Sequence, residues 1–260
     1  MKKALKKLVR STQVLFPGLV DAKFAIHNWI FRTTGRVFKR ELNGLRHFNL
    51  GGKLLVDIGA NRGQSIVAFR NAVPNCQVLA FEPNRLLAHR LAERYANDRN
   101  ARIEACALSN QPGSFTLHIP SYGGYQFDGL ATGDPNVGQW FNRDRFYWFN
   151  PKKISVEKTT VPTRTLDSFD VAPALMKLHA QRAEILILQG AERTVAKHGP
   201  IILTAWTWDE ETEYLRALGY QSHAYRHGNF HAGILGEEFT WFLLPKHVEE
   251  VCRNRSRFNR

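Results

Sequence analysis

The chain has 260 residues with a hydrophobic fraction of 43%, enough for one α/β domain with an appendage rather than two full domains. Its formal charge of +13 points to acidic partners, and its cysteines, Cys76, Cys106 and Cys252, have no metal-ligating spacing and make no disulfide framework. No apolar run is long enough for a bilayer and lysines interrupt the N-terminal apolar residues, so the expected setting is the cytoplasm.

Residues 1–50 read as a basic helical extension. Leu5, Leu8 and Val9 share a face among Lys2, Lys3, Lys6, Lys7 and Arg10, which suits either an anionic membrane surface or docking onto the rest of the chain. Phe24, Ile26, Trp29, Ile30 and Phe31 read as packing residues. Val37, Leu42, Leu45 and Phe48 mark a further helix before Gly51-Gly52.

Over residues 51–245 strands and helices alternate, the sign of a parallel sheet. The first strand, at residues 54–58, runs into the turn Gly59-Ala60-Asn61-Arg62-Gly63 and then a helix over 61–73. Glycines at 59 and 63 let backbone approach a ligand, and the amides opening the helix can meet an anion. The spacing is D-x-G-x-x-x-G; it is neither G-x-G-x-x-G nor a P-loop, because no Lys-Ser or Lys-Thr follows. A second strand at 77–81 ends in Glu82-Pro83-Asn84. An acid roughly 20 residues beyond the glycine turn can accept hydrogen bonds from both ribose hydroxyls; the alternative is a solvent-facing acid favoured by the following helix dipole.

A helix over 86–95, a strand over 101–108, and an extended stretch over 114–119 follow. Residues 120–153 read as one long irregular segment rich in Tyr, Phe and Trp, either a lid or substrate wall, or packing beneath the loop. Residues 154–165 are extended, 174–179 form a buried strand, and 183–197 a helix. A strand at 201–206, a helix at 209–218 and a closing hairpin of 220–225 with 239–244 complete the sheet, and residues 246–260 read as a solvated basic tail. His223, His227 and His231 have helical spacing on what reads as strand, so no metal site is expected; they are placed instead where they could meet substrate.

The D/E-x-G-x-x-x-G form resembles motif I of class I S-adenosylmethionine (SAM) methyltransferases. Four stretches in order, residues 56–65 (VDIGANRGQS), 81–84 (FEPN), 107–109 (ALS) and 161–167 (VPTRTLD), with the Lys177 region, resemble the FkbM-type SAM-dependent methyltransferases over about residues 45–245. The resemblance implies a seven-stranded Rossmann-like sheet with helices on both faces, and SAM-dependent O-methylation of a sugar, lipid-linked saccharide or related small molecule. It implies that Asp57, Gly59, Ala60, Asn61 and Gly63 line the methionine side of the cofactor, with Ser65 a further cofactor-binding residue. Glu82, with Pro83 and Asn84, would serve the ribose, and Ala107 and Leu108 the adenine.

One departure falls where the chemistry would be. The family reads K-I/L-D-V-E/Q-G-A-E; here it is Lys177-Leu178-His179-Ala180-Gln181-Arg182-Ala183-Glu184. His179 replaces an acid and can act as general base on an alcohol; otherwise it is a packing substitution in an impaired, SAM-binding relative. Arg182 replaces glycine and would either crowd the pocket or bind an acidic substrate. Nucleic-acid methylation is the remaining rival, prompted by the charge, but Ile119-Pro120-Ser121-Tyr122 only partly resembles the D/N-P-P-Y/F motif and no Pro-Cys nucleophile exists.

Overall fold

The structure, a computed structural model, describes residues 2–15 and 18–258; at residues 2, 3, 5, 6, 9, 13, 15, 18–24 and 255–258 it describes the backbone alone. The expected apolar face of Leu5 and Val9, the side chain of Phe24 and the arginines at 255, 257 and 260 therefore lie outside the described residues. Helix α1 (Lys2–Leu15), helix α2 (Gly18–Thr34) and a 3-10 turn (Arg40–His47) precede the sheet. Then come β1 (Leu54–Ile58), α3 (Gln64–Ala72), β2 (Gln77–Phe81), α4 (Arg85–Arg94), β3 (Ala101–Glu104), β4 (Ala107–Leu108), β5 (Gly113–Tyr122), β6 (Tyr125–Gln126) and β7 (Ile154–Arg164). The chain closes with β8 (Pro173–Leu178), α5 (Glu184–Gln189), α6 (Glu192–His198), β9 (Ile201–Ala205), α7 (Asp209–Ala217), β10 (Gln221–Arg226), β11 (Asn229–Ala232), β12 (Phe239–Leu243) and α8 (Pro245–Phe258).

The main sheet has the order β11-β10-β12-β9-β8-β1-β2-β3. Strands β3, β2, β1, β8 and β9 run parallel; β12, β10 and β11 add an antiparallel edge. The central parallel strands β2, β1, β8 and β9 are buried on both faces because helices cover both. Leu55 packs with Ile66 and Phe69 on one side, while Val56 and Ile58 pack with Ile187 and Leu188 on the other. This is the class I methyltransferase fold with eight strands rather than the expected seven. The extra strand arises at His227-Gly228, both at positive φ (50° and 79°), which turn the chain back as a two-residue hairpin joining β10 to β11.

Five other expectations are corrected. Residues 101–108 are not one strand: β3 ends in the main sheet and β4 joins a second, four-stranded sheet of order β4-β7-β5-β6. The segment 120–153 is not uniformly irregular, because β5 extends to Tyr122 and pairs along its whole length with β7. The helix expected over 183–197 breaks at Gly190, where a Cβ would collide with the carbonyl oxygen of Ser109. The tail is not a solvated strand of charge: α8 buries His247 and Val251, and Asn254 Nδ2 donates to His47 O at 2.8 Å. Likewise Ile26, Trp29 and Ile30 of α2 face outward; α2 docks instead through polar groups, Asn28 Nδ2 donating to Arg62 O and Asn71 Nδ2 to Phe31 O. Among the described residues no helix is long and apolar enough to cross a membrane.

The 3-10 turn seals the antiparallel end of the sheet. Leu42 and Leu45 are fully buried, and Gly44 lies so close to Trp241 that a Cβ there would stand 2.7 Å from its ring. Gly44→Ala is expected to destabilise the fold by about 1–3 kcal/mol through overpacking, read as a lower denaturant midpoint with unchanged slope.

Candidate functional site

The site lies at the carboxyl ends of β1, β2 and β8. Gly59 and Ala60 donate their N–H groups to Phe81 O at 3.0 and 3.1 Å, so the glycine turn is clamped to the end of β2. Gly59 sits at φ 76°, and a Cβ there would drive into the carbonyl oxygen of His179. Asn61 takes φ 49°, a left-handed position that asparagine tolerates, and Gly63 takes φ 80° as N-cap of α3.

The turn and the acid are in direct contact. Asn61 N donates to Glu82 Oε2 at 2.7 Å, and Asn84 N donates to Glu82 Oε1 at 2.8 Å. Asn84 caps α4 by accepting from Leu86 N and Leu87 N. Burial pushes the Glu82 carboxyl up to about 7, against the pull of those two backbone donors and of Lys177.

Beneath the turn lies a buried ion pair. Lys177 Nζ donates to Asp57 Oδ1 at 2.8 Å, to Gly59 O at 3.0 Å and to Ile58 O at 3.3 Å, using all three of its donors. Asp57 is wholly buried. It holds the turn from behind and is absent from the cavity wall, as are Gly63 and Asn84.

The cavity measures about 520 Å³. Of the residues singled out in the sequence, Gly59, Ala60, Asn61, Ser65, Glu82, Pro83, Ala107, Leu108 and His179 line it. The three histidines of the β10–β11 region do not: His223 is buried, whereas His227 and His231 are exposed away from it. Among the described residues no three His, Cys, Asp or Glu side chains converge as a metal-ligand set. An adenosyl ligand fits the residues present. Glu82 spends one acceptor site per oxygen on backbone and keeps further lone pairs for two ribose hydroxyls. Leu108, Leu186 and Ile187 give the cavity an apolar slot beside the Ala107 backbone.

His179 follows β8, its N–H donating to Ile58 O at 3.0 Å. Its ring meets Trp206 edge-on at 5.0 Å, and its Nε2 lies 3.5 Å from Gln181 Nε2. Burial first, then the charges of Lys177 and Lys39, lower its pKa to about 3, so the imidazole is neutral at any ordinary pH. Arg182 does not crowd the pocket. It is absent from the wall, and its guanidinium stacks over Trp208 at 4.7 Å. Its φ of 77°, next to Gln181 at 52°, is a left-handed conformation suited to the glycine that the family carries.

The segment 120–153, expected as a lid or substrate wall or as packing beneath the loop, roofs the cavity with Tyr125, Phe127 and residues 128–133. The 3-10 turn Asp128–Leu130 is held over the glycine turn by an ion pair between Asp128 and Arg62, and Gln181 Nε2 donates to Gly129 O at 3.2 Å. Tyr122, Phe141 and Phe146 stack into a small core of their own, with Phe127 and Phe149 against it, so the aromatic segment is both roof and packing. Helix α1 closes the far side. Lys7, Arg10, Ser11 and Val14 lie on one face. Ser11 Oγ accepts from Tyr147 N at 2.9 Å, and Val14 joins the aromatic cluster. Lys177 had a signal in the sequence, a lysine inside the apolar run Leu175-Met176-Lys177-Leu178; the pairing of Asp128 with Arg62 and the approach of Arg10 had none.

Lys177→Met removes one partner of a buried pair and strands Asp57. A loss of about 3–5 kcal/mol is expected, measured by chemical denaturation. Adding Asp57→Asn in the same chain is expected to recover part of it, because the uncompensated charge is gone.

Several solved structures are similar. A methyltransferase FkbM from Methylobacillus flagellatus is 15% identical with a TM-score of 0.50, and the match covers 80% of this chain and 47% of that one. A precorrin-6y C5,15-methyltransferase from Geobacter metallireducens is 14% identical with a TM-score of 0.40, covering 79% and 86%. A SAM-dependent O-methyltransferase from Thermotoga maritima is 8% identical with a TM-score of 0.37, covering 80% and 65%. This chain thus spans about half the length of the Methylobacillus protein. No curated protein matches it. The model of the methyltransferase FkbM domain matches residues 57–226, well over half of the sequence, and the chain therefore belongs to the FkbM methyltransferase family.

Proposed function

We propose that the protein is a SAM-dependent O-methyltransferase acting on a hydroxyl of a sugar, a lipid-linked saccharide or a similar small molecule. The observation that carries this reading is the hydrogen bond from Asn61 N to Glu82, which joins the glycine turn and the ribose acid in one cavity wall. Bound there, SAM supplies a sulfonium-activated methyl group. The chain's residues then have three tasks: hold the ligand, orient an acceptor hydroxyl, and take its proton.

His179 is suited to the last two. Its neutral ring accepts a hydrogen bond from the hydroxyl. A pKa of about 3 makes it a weak base toward a free alcohol. It suffices here, because an alcohol oxygen that has gained a methyl group is far more acidic than even this imidazolium. Proton transfer late in the reaction is therefore downhill. The same depressed pKa is what favours the second reading, a SAM-binding relative with impaired catalysis. The saccharide assignment rests on the carboxyl end of β9, where Trp206, 54% exposed, stands beside His179 and Trp208 is half exposed. Such rings offer flat apolar faces to the C–H faces of a sugar.

Calorimetric titration with S-adenosylhomocysteine tests the pocket. Glu82 must be ionised to accept from both ribose hydroxyls, so affinity is expected to rise from pH 6 toward pH 8 and level off above the value of about 7. The folded-state pKa is raised, so the stability it contributes is complete below the unfolded value and is lost as pH rises through about 7. The ligand offsets that loss, and its thermal shift is therefore larger at pH 8 than at pH 6. Glu82→Gln is expected to weaken binding and to flatten this pH dependence. With acceptor present, His179→Ala is expected to lower turnover by about 10²–10⁴ while leaving S-adenosylhomocysteine affinity in place. Unchanged turnover would remove His179 from the mechanism, whereas absence of any binding heat in the wild type would remove the function itself.

A further inference from the structure

The cavity carries an excess of positive charge that the reading above does not use. Lys177 is neutralised by Asp57, and Arg62 by Asp128. Glu82 is committed to the glycine turn and the ribose position. Among the described residues two cations on the wall remain, Arg10 from α1 and Arg145 from the roof. Neither guanidinium has a carboxylate or other hydrogen-bond partner among the described residues.

Their neighbours make this a built site rather than a pair of solvated side chains. Arg10 and Arg145 share the wall with Tyr125, Phe127, Phe141 and Phe146, and the last two rings are buried. Both arginines are only partly exposed. Loss of water and the nearby charge of Arg10 lower the Arg145 pKa, the direction expected where like charges are drawn together without a counterion. The docking of α1 enforces the approach. Ser11 accepts from Tyr147 N, Val14 packs into the aromatic cluster, and Lys7 Nζ sits 4.7 Å over the Tyr147 ring, so the helix face that carries Arg10 is fixed two residues from Arg145. Two partly dehydrated guanidiniums beside aromatic faces match an anion borne on a ring-sized molecule, since the planar fork pairs with carboxylate or phosphate oxygens.

We propose that Arg10 and Arg145 form an anion subsite for the methyl acceptor, so that the preferred acceptor is a hydroxylated molecule carrying a carboxylate or a phosphate. This rests on the methyltransferase reading and narrows its substrate class. The cofactor's own carboxylate has the same chemistry, and the experiment separates the two sources.

Wild type, Arg10→Gln and Arg145→Gln are titrated with S-adenosylhomocysteine. The liganded proteins are then titrated with a panel of hexuronates and hexose phosphates, each beside its neutral parent sugar, with D-glucuronate, glucose 1-phosphate and glucose as the first trio. Acidic members are expected to bind the wild type at least about tenfold more tightly than their parents, and each variant to lose about tenfold or more of that advantage, the size of a lost charge-assisted hydrogen bond. S-Adenosylhomocysteine affinity and melting temperature are expected to stay within twofold and within a few degrees of wild type. A preference for carboxylates over phosphates, or the reverse, identifies the anion. Weakened S-adenosylhomocysteine binding in the variants would assign the arginines to the cofactor and overturn the proposal, as would equal binding of acidic and neutral sugars or no binding by any of them. If the wild type fails to bind S-adenosylhomocysteine at all, it is the methyltransferase reading that falls, and that result is seen before any sugar is added.

Discussion

Everything at the catalytic end of the sheet depends on one buried ammonium. Lys177 reaches from β8 under the end of β1 and donates to Asp57 Oδ1 together with two consecutive carbonyls, those of Ile58 and Gly59. A charge without water is tolerable only when every donor has an acceptor. That demand fixes where β1 must stop and in which direction the glycine turn must leave it. With the carbonyls drawn inward, the N–H groups of Gly59, Ala60 and Asn61 point toward β2, where Phe81 O and Glu82 receive them. Glu82 is thus positioned by the same polar network that shapes the turn. Asp57 acts through this network and does not touch the cavity.

The β8 side of the site is less relaxed. Gln181 and Arg182 both occupy left-handed backbone that costs a residue with a Cβ roughly 1–2 kcal/mol. The conformation persists because its surroundings hold it. Ala180 N donates to the buried Glu184 at 2.6 Å, Gln181 donates to the roof at Gly129, and Arg182 lies on Trp208. Replacing a family glycine by arginine therefore leaves the backbone path intact and sends the new side chain outward. Arg182 stays off the cavity wall, and His179 is on it.

The roof and the N-terminal helix wall the carboxyl ends of the strands into a cavity. A strand end alone would leave a cofactor and its acceptor in water, where a dipole or charge counts for little. The pairing of β5 with β7 carries the aromatic segment over the site, and its stacked rings give it a core independent of the main sheet. Helix α1 then binds that segment through Ser11 and Lys7. The second sheet and the extension together form the cavity wall opposite the glycine turn.

What the sequence determined by itself is local. The D-x-G-x-x-x-G turn, the acid after the second strand, the proline and asparagine that follow it and the alternation of strand with helix are written in adjacent residues, because glycine freedom, capping and strand burial are short-range effects. The extra strand was also local, encoded at His227-Gly228, but a histidine in left-handed backbone gives a weak turn signal. The break at Gly190 was not local: it answers a backbone approach by Ser109, far away along the chain. Nor could spacing show that Asp57 belongs to Lys177, that Asp128 reaches Arg62, or that α1 brings Arg10 to the cavity. Those are contacts between distant segments, set by which buried charges must find partners and which aromatic faces must be covered, and only the assembled chain decides them.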